Sequence, residues 1–472
     1  MPSAVSDDQH VTIDLHDVQG LGIGGFRKDT QELFALTLGP PDAARRLLVY
    51  LARRSASAFE VRAFNEAFSS IRRRTGEGVI EATWVGAAIS ARGYAKLGVD
   101  VGLLSAAFQA GMAGRAAQTG DDPSTWRPEF RADAGVDALI VVAADAVDDL
   151  DRECDRVAHE IGDAGCTCVF RERGTTLSRP LRGHEHFGFK DGISQPAIAE
   201  LDQPPAPGEP PAAPVSEFLL GPEAGAEWAN GSFLVFRRLH QDVAAFRAMM
   251  STLAPQTSPA LTTDQLAAKF VGRWPSGTAT ATSPDSDPGH AGVTNAFGYA
   301  EDADGQQTPR FAHIRKANPR DEPRPDTGTD DVERHRMLRR GIPYGDPLPT
   351  EATQDDGAQR GLHFIAIVAD PERQFEVVQR QWLNDPNFPN GGTPNQPGGP
   401  YTPPIPGEAP DGPDPIVGEH PAEAAVALHQ GAQIHALALG PDVVRVTGGE
   451  YFFLPSISAL HALAVAGNAP VL

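Results

Sequence analysis

Cysteine is scarce: Cys154, Cys166 and Cys168 are the only three in 472 residues. Their odd number and lack of metal-ligand spacing exclude a disulfide framework and lead to an expectation of reduced thiols in a reducing compartment. Cys166 and Cys168 alternate as strand residues do, so packing is the first reading and chelation the lesser one. Long apolar runs are also missing. No stretch approaches the roughly 20 residues that span a bilayer. The opening Met1-Pro2-Ser3, soon followed by Asp7 and Asp8, has no basic segment, apolar segment or twin arginine, so a cytoplasmic location is expected. Positive charge is in deficit, with 40 Lys and Arg against 62 Asp and Glu and a formal charge of −22. Nucleic acid and anionic membranes would repel such a chain and are not expected as partners.

Glycine and proline are plentiful, at 48 and 42 residues, and hydrophobic residues make up 40%. The length suits two packed domains or one large α/β unit. Four apolar runs each lead through a short loop into a helical pattern: 33–38 into 43–54, 136–143 into 147–161, 231–236 into 241–253, and 362–368 into 371–383. Two such units in each half suggest a divergent internal duplication, satisfied by two α+β halves, each an antiparallel sheet carrying helices. A doubly wound parallel sheet is not excluded by pattern alone. Residues 203–216, whose core reads QPPAPGEPPAAP, form an expected linker between residues 1–202 and 217–472. A second Pro/Gly-rich stretch, 387–415, is expected to lie over the surface or rim an entrance. Residues 17–28 are glycine-rich, but no strong strand precedes them and no helix start follows at dinucleotide-loop spacing.

The chemistry concentrates in three segments. Gly183-His184-Glu185-His186-Phe187-Gly188-Phe189-Lys190-Asp191-Gly192-Ile193-Ser194-Gln195-Pro196 reads as a tight loop presenting the acid Asp191. Ala312-His313-Ile314-Arg315-Lys316-Ala317-Asn318-Pro319-Arg320 and Met337-Leu338-Arg339-Arg340-Gly341-Ile342-Pro343-Tyr344-Gly345 supply an imidazole and a pair of guanidinium groups. Fourteen histidines are present, so composition does not choose a ligand. His184 and His186 alternate and are candidates for a non-haem metal pair. Leu362 and Phe364 lie two apart, which on a strand aims both to one side and His363 to the other. Trp274, within Gly272-Arg273-Trp274-Pro275-Ser276-Gly277, reads as a packing anchor under a long loop ahead of a surface redox residue.

Together these segments, with Gly448-Gly449-Glu450-Tyr451-Phe452-Phe453-Leu454-Pro455-Ser456, resemble the dye-decolourising peroxidase family. The resemblance covers residues 17–460. It implies two ferredoxin-like halves with a pocket for haem b mainly in the second half. It assigns the proximal iron ligand to His313, the distal acid to Asp191 and the distal cation to Arg339. Leu362, Phe364 and Arg315 complete the implied haem contacts. Arg340 competes with Arg339, and the register of an Arg-x-Asn-x-Pro-x-Gly pattern selects Arg339. This chain has Gly341 at the Asn position, so no side-chain amide assists there.

Cleaving the O–O bond of hydrogen peroxide requires a base that moves a proton between the two oxygens and a cation for the charge that develops. Asp191 and Arg339 fit these roles, and Leu362 and Phe364 would roof the pocket and exclude water. The reference pKa is about 3.9 for aspartate against about 6.5 for histidine, so activity is expected to persist to acid pH. Small aromatic electron donors are the expected reducing partners. Bulky dyes would give up electrons at surface Tyr or Trp, and a homo-oligomer is left open. Competing expectations are a chlorite-dismutase-like reaction, haem demetallation, and haem sequestration without catalysis.

Overall fold

The structure is a computed structural model, and it describes residues 13–75, 80–322, 332–388 and 411–466. Among the described residues eleven strands form: β1 (Thr30–Thr37), β2 (Thr83–Ser90), β3 (Ala138–Ala144), β4 (Thr167–Thr175), β5 (Ser232–Gln241), β6 (Leu338–Arg339), β7 (Ile342–Tyr344), β8 (Gly361–Val368), β9 (Ala425–Gln430), β10 (Gln433–Ala438) and β11 (Val444–Leu454). Nine join in the order β5-β11-β2-β3-β1-β4-β7-β8-β6, and β5 also pairs with β8. That extra pairing closes the sheet into a barrel and, among its described strands, leaves only the short β6 with an unpaired edge. All of its pairings are antiparallel. The described residues of β9 and β10 form a separate hairpin.

Each half repeats one order. In the first, β4-β1-β3-β2 gives the fourth, first, third and second strands side by side; in the second, β11-β5-β8-β7 does the same. This is the ferredoxin-like arrangement expected of the duplication. The seams are short: β2 meets β11 over two residue pairs and β4 meets β7 at Gly174 and Tyr344. All four expected strand-to-helix units are present, as β1 with Pro41–Arg54, β3 with Val147–Asp163, β5 with Val243–Leu253, and β8 with the π-helical stretches Glu372–Glu376 and Val378–Leu383.

Local chemistry accounts for these elements. Strand β3, ALIVVAA, is buried along its whole length, as a strand covered on both faces must be. Helix Val147–Asp163 opens with Asp148 and Asp149 near its positive end and buries Leu150, Cys154, Val157 and Ile161 in one stripe. Each large apolar side chain in that stripe contributes roughly 1.5–3 kcal/mol by leaving water. Helix Thr263–Val271 starts with a Thr262–Gln265 capping box and ends at Gly272 with φ 89°, where a left-handed residue closes the last turn. Beside the main core lies a second cluster, including Phe189, Phe246, Phe270 and Phe311. It anchors the loops that build the site.

Candidate active site

A cavity of about 290 Å³ opens between β8, β6, the 185–194 loop and the helix His313–Ala317, and Asp191, His313, Arg339, Leu362 and Phe364 all line it. Five of the six residues expected from sequence therefore converge. The sixth does not. Arg315 is fully buried away from the cavity, where its guanidinium meets Glu322 at 2.5 Å and Asp302 at 3.3 Å, donates to the Thr308 carbonyl and lies over the Tyr299 ring. On a helix, residues two apart point about 200° from one another, so His313 and Arg315 cannot share a face. Ala317, four on from His313, does line the cavity.

The loop carrying Asp191 is held from several sides. Gly183, Gly188 and Gly192 have φ of 78°, 96° and 76°, a region that costs glycine little. Asp191 N–H donates to the Gly183 carbonyl at 3.1 Å. The Glu185 carboxylate accepts from Phe187 N–H and Phe189 N–H, both at 2.9 Å, and Phe187 stacks on Phe246 at 4.5 Å. Burial pushes the Glu185 carboxyl up to about 7, against the pull of these donors. Asp191 Oδ1 accepts from Gly192 N–H at 2.6 Å, which leaves Oδ2 for other chemistry.

His313 Nδ1 pairs with Asp414 Oδ2 at 2.7 Å. Asp414 is fully buried, and its other oxygen accepts from Ile416 N–H and Val417 N–H. Burial alone would lower the His313 pKa, but the Asp414 carboxylate overrides it and the net direction is upward. With Nδ1 engaged, Nε2 is the nitrogen left for a metal. Arg339 is drawn below the ordinary guanidinium value by burial, with Asp191 opposing and Arg336 adding to the fall. Its Nη2 donates to the Ser194 carbonyl at 3.2 Å.

Strand β8 alternates as expected. Leu362 and Phe364 face the cavity, whereas His363 turns to Glu172 with Nε2 to Oε2 at 2.6 Å. Arg340 serves elsewhere, donating to the carbonyls of Gly22 and Ile23 at 3.2 Å. His184 and His186 have separate partners, the Arg182 and Tyr344 carbonyls. Among the described residues no cluster of three or more His, Cys, Asp or Glu is placed to hold a metal. Trp274 is buried, its indole donating to the Ser283 carbonyl at 2.7 Å, as a packing anchor should be. Most of the 387–415 stretch lies outside the described residues, but its end returns to the site through Asp414.

Three features escaped the sequence reading: Asp414, the arginines Arg273, Arg320 and Arg336 that also line the cavity, and the contact of Gln195 with Arg339. Arg320, at the end of the His313 segment, was the one with a visible signal. The donor set suits a haem: one oriented imidazole for iron, apolar walls from Leu362, Phe364, Phe375 and Val378 for a flat macrocycle, and guanidinium groups for its carboxylates.

Residues 17–176 match the family described as DyP dimeric alpha+beta barrel domain, and residues 184–389 match Dyp-type peroxidase, C-terminal. The chain belongs to the dye-decolourising peroxidase family. It is a peroxidase of that family, whose members are haem enzymes. It is 30% identical to dye-decolorizing peroxidase msp1 of Mycetinis scorodonius, over 98% of this chain and 89% of that one. It is 31% identical to multifunctional dye peroxidase DyP2 of Amycolatopsis, over 80% and 82%. A solved ancestral D-type dye decolorizing peroxidase superposes with TM-score 0.82 at 30% identity, covering 95% of this chain and 98% of that one. A dye-decolorizing peroxidase solved in complex with 2,6-dimethoxyphenol gives 0.79 at 28% identity, covering 96% and 100%. No helix among the described residues is long and apolar enough to cross a membrane.

Proposed function

We propose that the chain is a haem b peroxidase that reduces hydrogen peroxide and oxidises phenols and dyes, with His313 holding the iron and Asp191 and Arg339 serving peroxide. The observation that carries this reading is the placing of a free carboxylate oxygen, a guanidinium and a carboxylate-oriented imidazole on one largely apolar cavity. When bound, haem supplies the iron that activates peroxide and the two-electron capacity later refilled one electron at a time by a reducing substrate. Everything else falls to the chain. Asp414 keeps the Nδ1 proton on His313 and makes Nε2 the stronger donor. Asp191 takes the proton of one peroxide oxygen at Oδ2 and returns it to the other, which leaves as water. Arg339, its Nη2 fixed on the Ser194 carbonyl, offers its remaining N–H groups to the departing oxygen as negative charge gathers there. Leu362 and Phe364 exclude water and strengthen both fields. Arg320 and Arg336, which line the cavity, would hold the haem carboxylates, Arg336 while also paired with Glu333, and the Arg315 position stabilises the fold instead.

The three cysteines are free thiols, and a cytoplasmic location stays part of the proposal. Arg339→Ala tests the reading. Peroxide-dependent dye oxidation should fall steeply while haem stays bound; unchanged turnover would favour a different haem reaction.

A further inference from the structure

The strand bearing Arg339 lacks a strand neighbour on one side. Residues of β6 and β7 pair with β8 in one continuous register, Leu338 with Ile367, Arg339 with Ala366 and Ile342 with His363, and Arg340 N–H donates to the Ile365 carbonyl. Main-chain groups along an antiparallel strand alternate between its two edges. The Arg340 N–H is spent on β8, so the main-chain groups of Arg339 point to the other edge, where β4 touches only at Tyr344. A single side chain fills that gap. Gln195 Oε1 accepts from Arg339 N–H at 3.0 Å, and Gln195 Nε2 donates to the Arg339 carbonyl at 3.0 Å. The amide thus acts as a missing ladder residue, making both bonds that a neighbouring strand would make.

Gln195 belongs to the loop that carries Asp191, and the loop is stiff where Gln195 leaves it. Ser194 Oγ is held by Arg273 Nη2 at 2.9 Å and by Asn295 at 3.1 Å, Asn295 Nδ2 donates to the Ile193 carbonyl at 2.9 Å, and Pro196 follows. Arg339 Nη2 reaches back to the Ser194 carbonyl at 3.2 Å. Acid loop and cation strand are therefore tied at three points across two adjacent residues.

We infer that Gln195 is a positioning residue for peroxide cleavage: its amide locks the main chain of Arg339 to the loop of Asp191 and so fixes the spacing of the acid and the cation. The inference rests on the roles proposed above for those two residues. Its physical content is that catalytic groups displaced by about 1 Å lose on the order of 100-fold in rate, whereas haem binding, which depends on His313 and the apolar walls, does not involve Gln195. The amide is needed as donor and acceptor together.

Two variants of the haem-loaded enzyme test this. Gln195→Met keeps the volume and removes both bonds; Gln195→Glu keeps the length and, as carboxylate, retains the acceptor but loses the donor. The charged groups tied to this position are Arg339, which Gln195 bonds, Arg273, which holds Ser194, and Asp191 and Arg336, whose charges act on Arg339; Lys190 shares the loop. Gln195→Met should lower kcat/KM for hydrogen peroxide by about 10- to 100-fold, with haem content unchanged and KM for 2,6-dimethoxyphenol within about twofold. Gln195→Glu should fall at neutral pH and recover toward wild type as the pH drops, because the protonated acid regains a donor; Gln195→Met should show no such recovery. The inference is overturned if Gln195→Met stays within about twofold of wild type for peroxide, or if it loses haem and activity in step. Should Gln195→Met not fold, a Gln195→Glu profile parallel to wild type overturns it equally. If Asp191→Asn and Arg339→Ala themselves leave peroxide reduction intact, the underlying reading has failed and the role of Gln195 falls with it, an outcome distinct from a silent Gln195→Met in an enzyme that does need Asp191 and Arg339.

Discussion

His313 Nδ1 and Asp414 Oδ2 lie 2.7 Å apart although 101 residues separate them in sequence. The pair engages Nδ1 and leaves Nε2 as the nitrogen proposed for iron, so the end of the second proline-rich stretch belongs to the site as much as the three segments read from the sequence do. Asp414→Asn keeps the shape but withdraws the charge. It should weaken haem retention by about 10- to 100-fold, checked by the rate at which haem passes to an acceptor apoprotein; a rate equal to wild type would show that Asp414 serves only the fold.

Arg315 gives a stability prediction. Its guanidinium pairs with Glu322 and Asp302 in a buried setting. Arg315→Ala leaves Glu322 with Arg310 at 3.5 Å and Asp302 with the N–H groups of Gln307 and Thr308, and the lost buried cation should cost roughly 3 kcal/mol in denaturant unfolding. Because the side chain is absent from the cavity, haem-loaded protein that does fold should keep its kcat/KM for peroxide.

Glu172 sets an acid limit. Burial alone would raise its carboxyl, but hydrogen bonds from His363 and Arg238 outweigh burial and hold it at about 2, down from an ordinary 4.5. A folded-state pKa below the unfolded one stabilises above the unfolded value and is lost as pH falls through the folded value. Its contribution, on the order of 3 kcal/mol, should therefore be complete above 4.5, decline below it and vanish near 2. The stability gap between wild type and Glu172→Gln should shrink across that window; a constant gap would refute the assignment.

Gly341 stands where the Arg-x-Asn-x-Pro-x-Gly pattern of the resemblance would put asparagine. A Cβ built there would lie 2.8 Å from the backbone oxygen of His363, which has little freedom inside a closed barrel. Gly341→Asn should cost roughly 1–3 kcal/mol through overpacking, measured as a lower unfolding midpoint, with no gain in peroxide reduction.

Much of the architecture was legible because its strands are short apolar runs and their helices carry one apolar stripe: β3 and Leu150, Cys154, Val157 and Ile161 show both. Closure of the barrel was not, since the pairing of β5 with β8 and the two seams are long-range contacts that no local pattern encodes. The site divides the same way. Asp191, His313 and Arg339 stood in segments that the family resemblance picks out; strand alternation put Leu362 and Phe364 on one side, and the resemblance alone turned that side to the pocket. Arg315 came only with the resemblance, and helix geometry at a spacing of two turns it away from the face that His313 presents to the cavity. Asp414 was hidden in a stretch whose prolines and glycines signal only a loop, and Gln195 acts through an amide that nothing in the sequence marks as a ladder partner.

The most direct test is the absorption spectrum of the haem-loaded protein, recorded by rapid mixing with one equivalent of hydrogen peroxide for wild type and for Asp191→Asn. The account predicts a Soret band that shifts within the first moments in wild type and at least about 100-fold more slowly in the variant. A chain that takes up no haem, or a variant that reacts as fast as wild type, would contradict it.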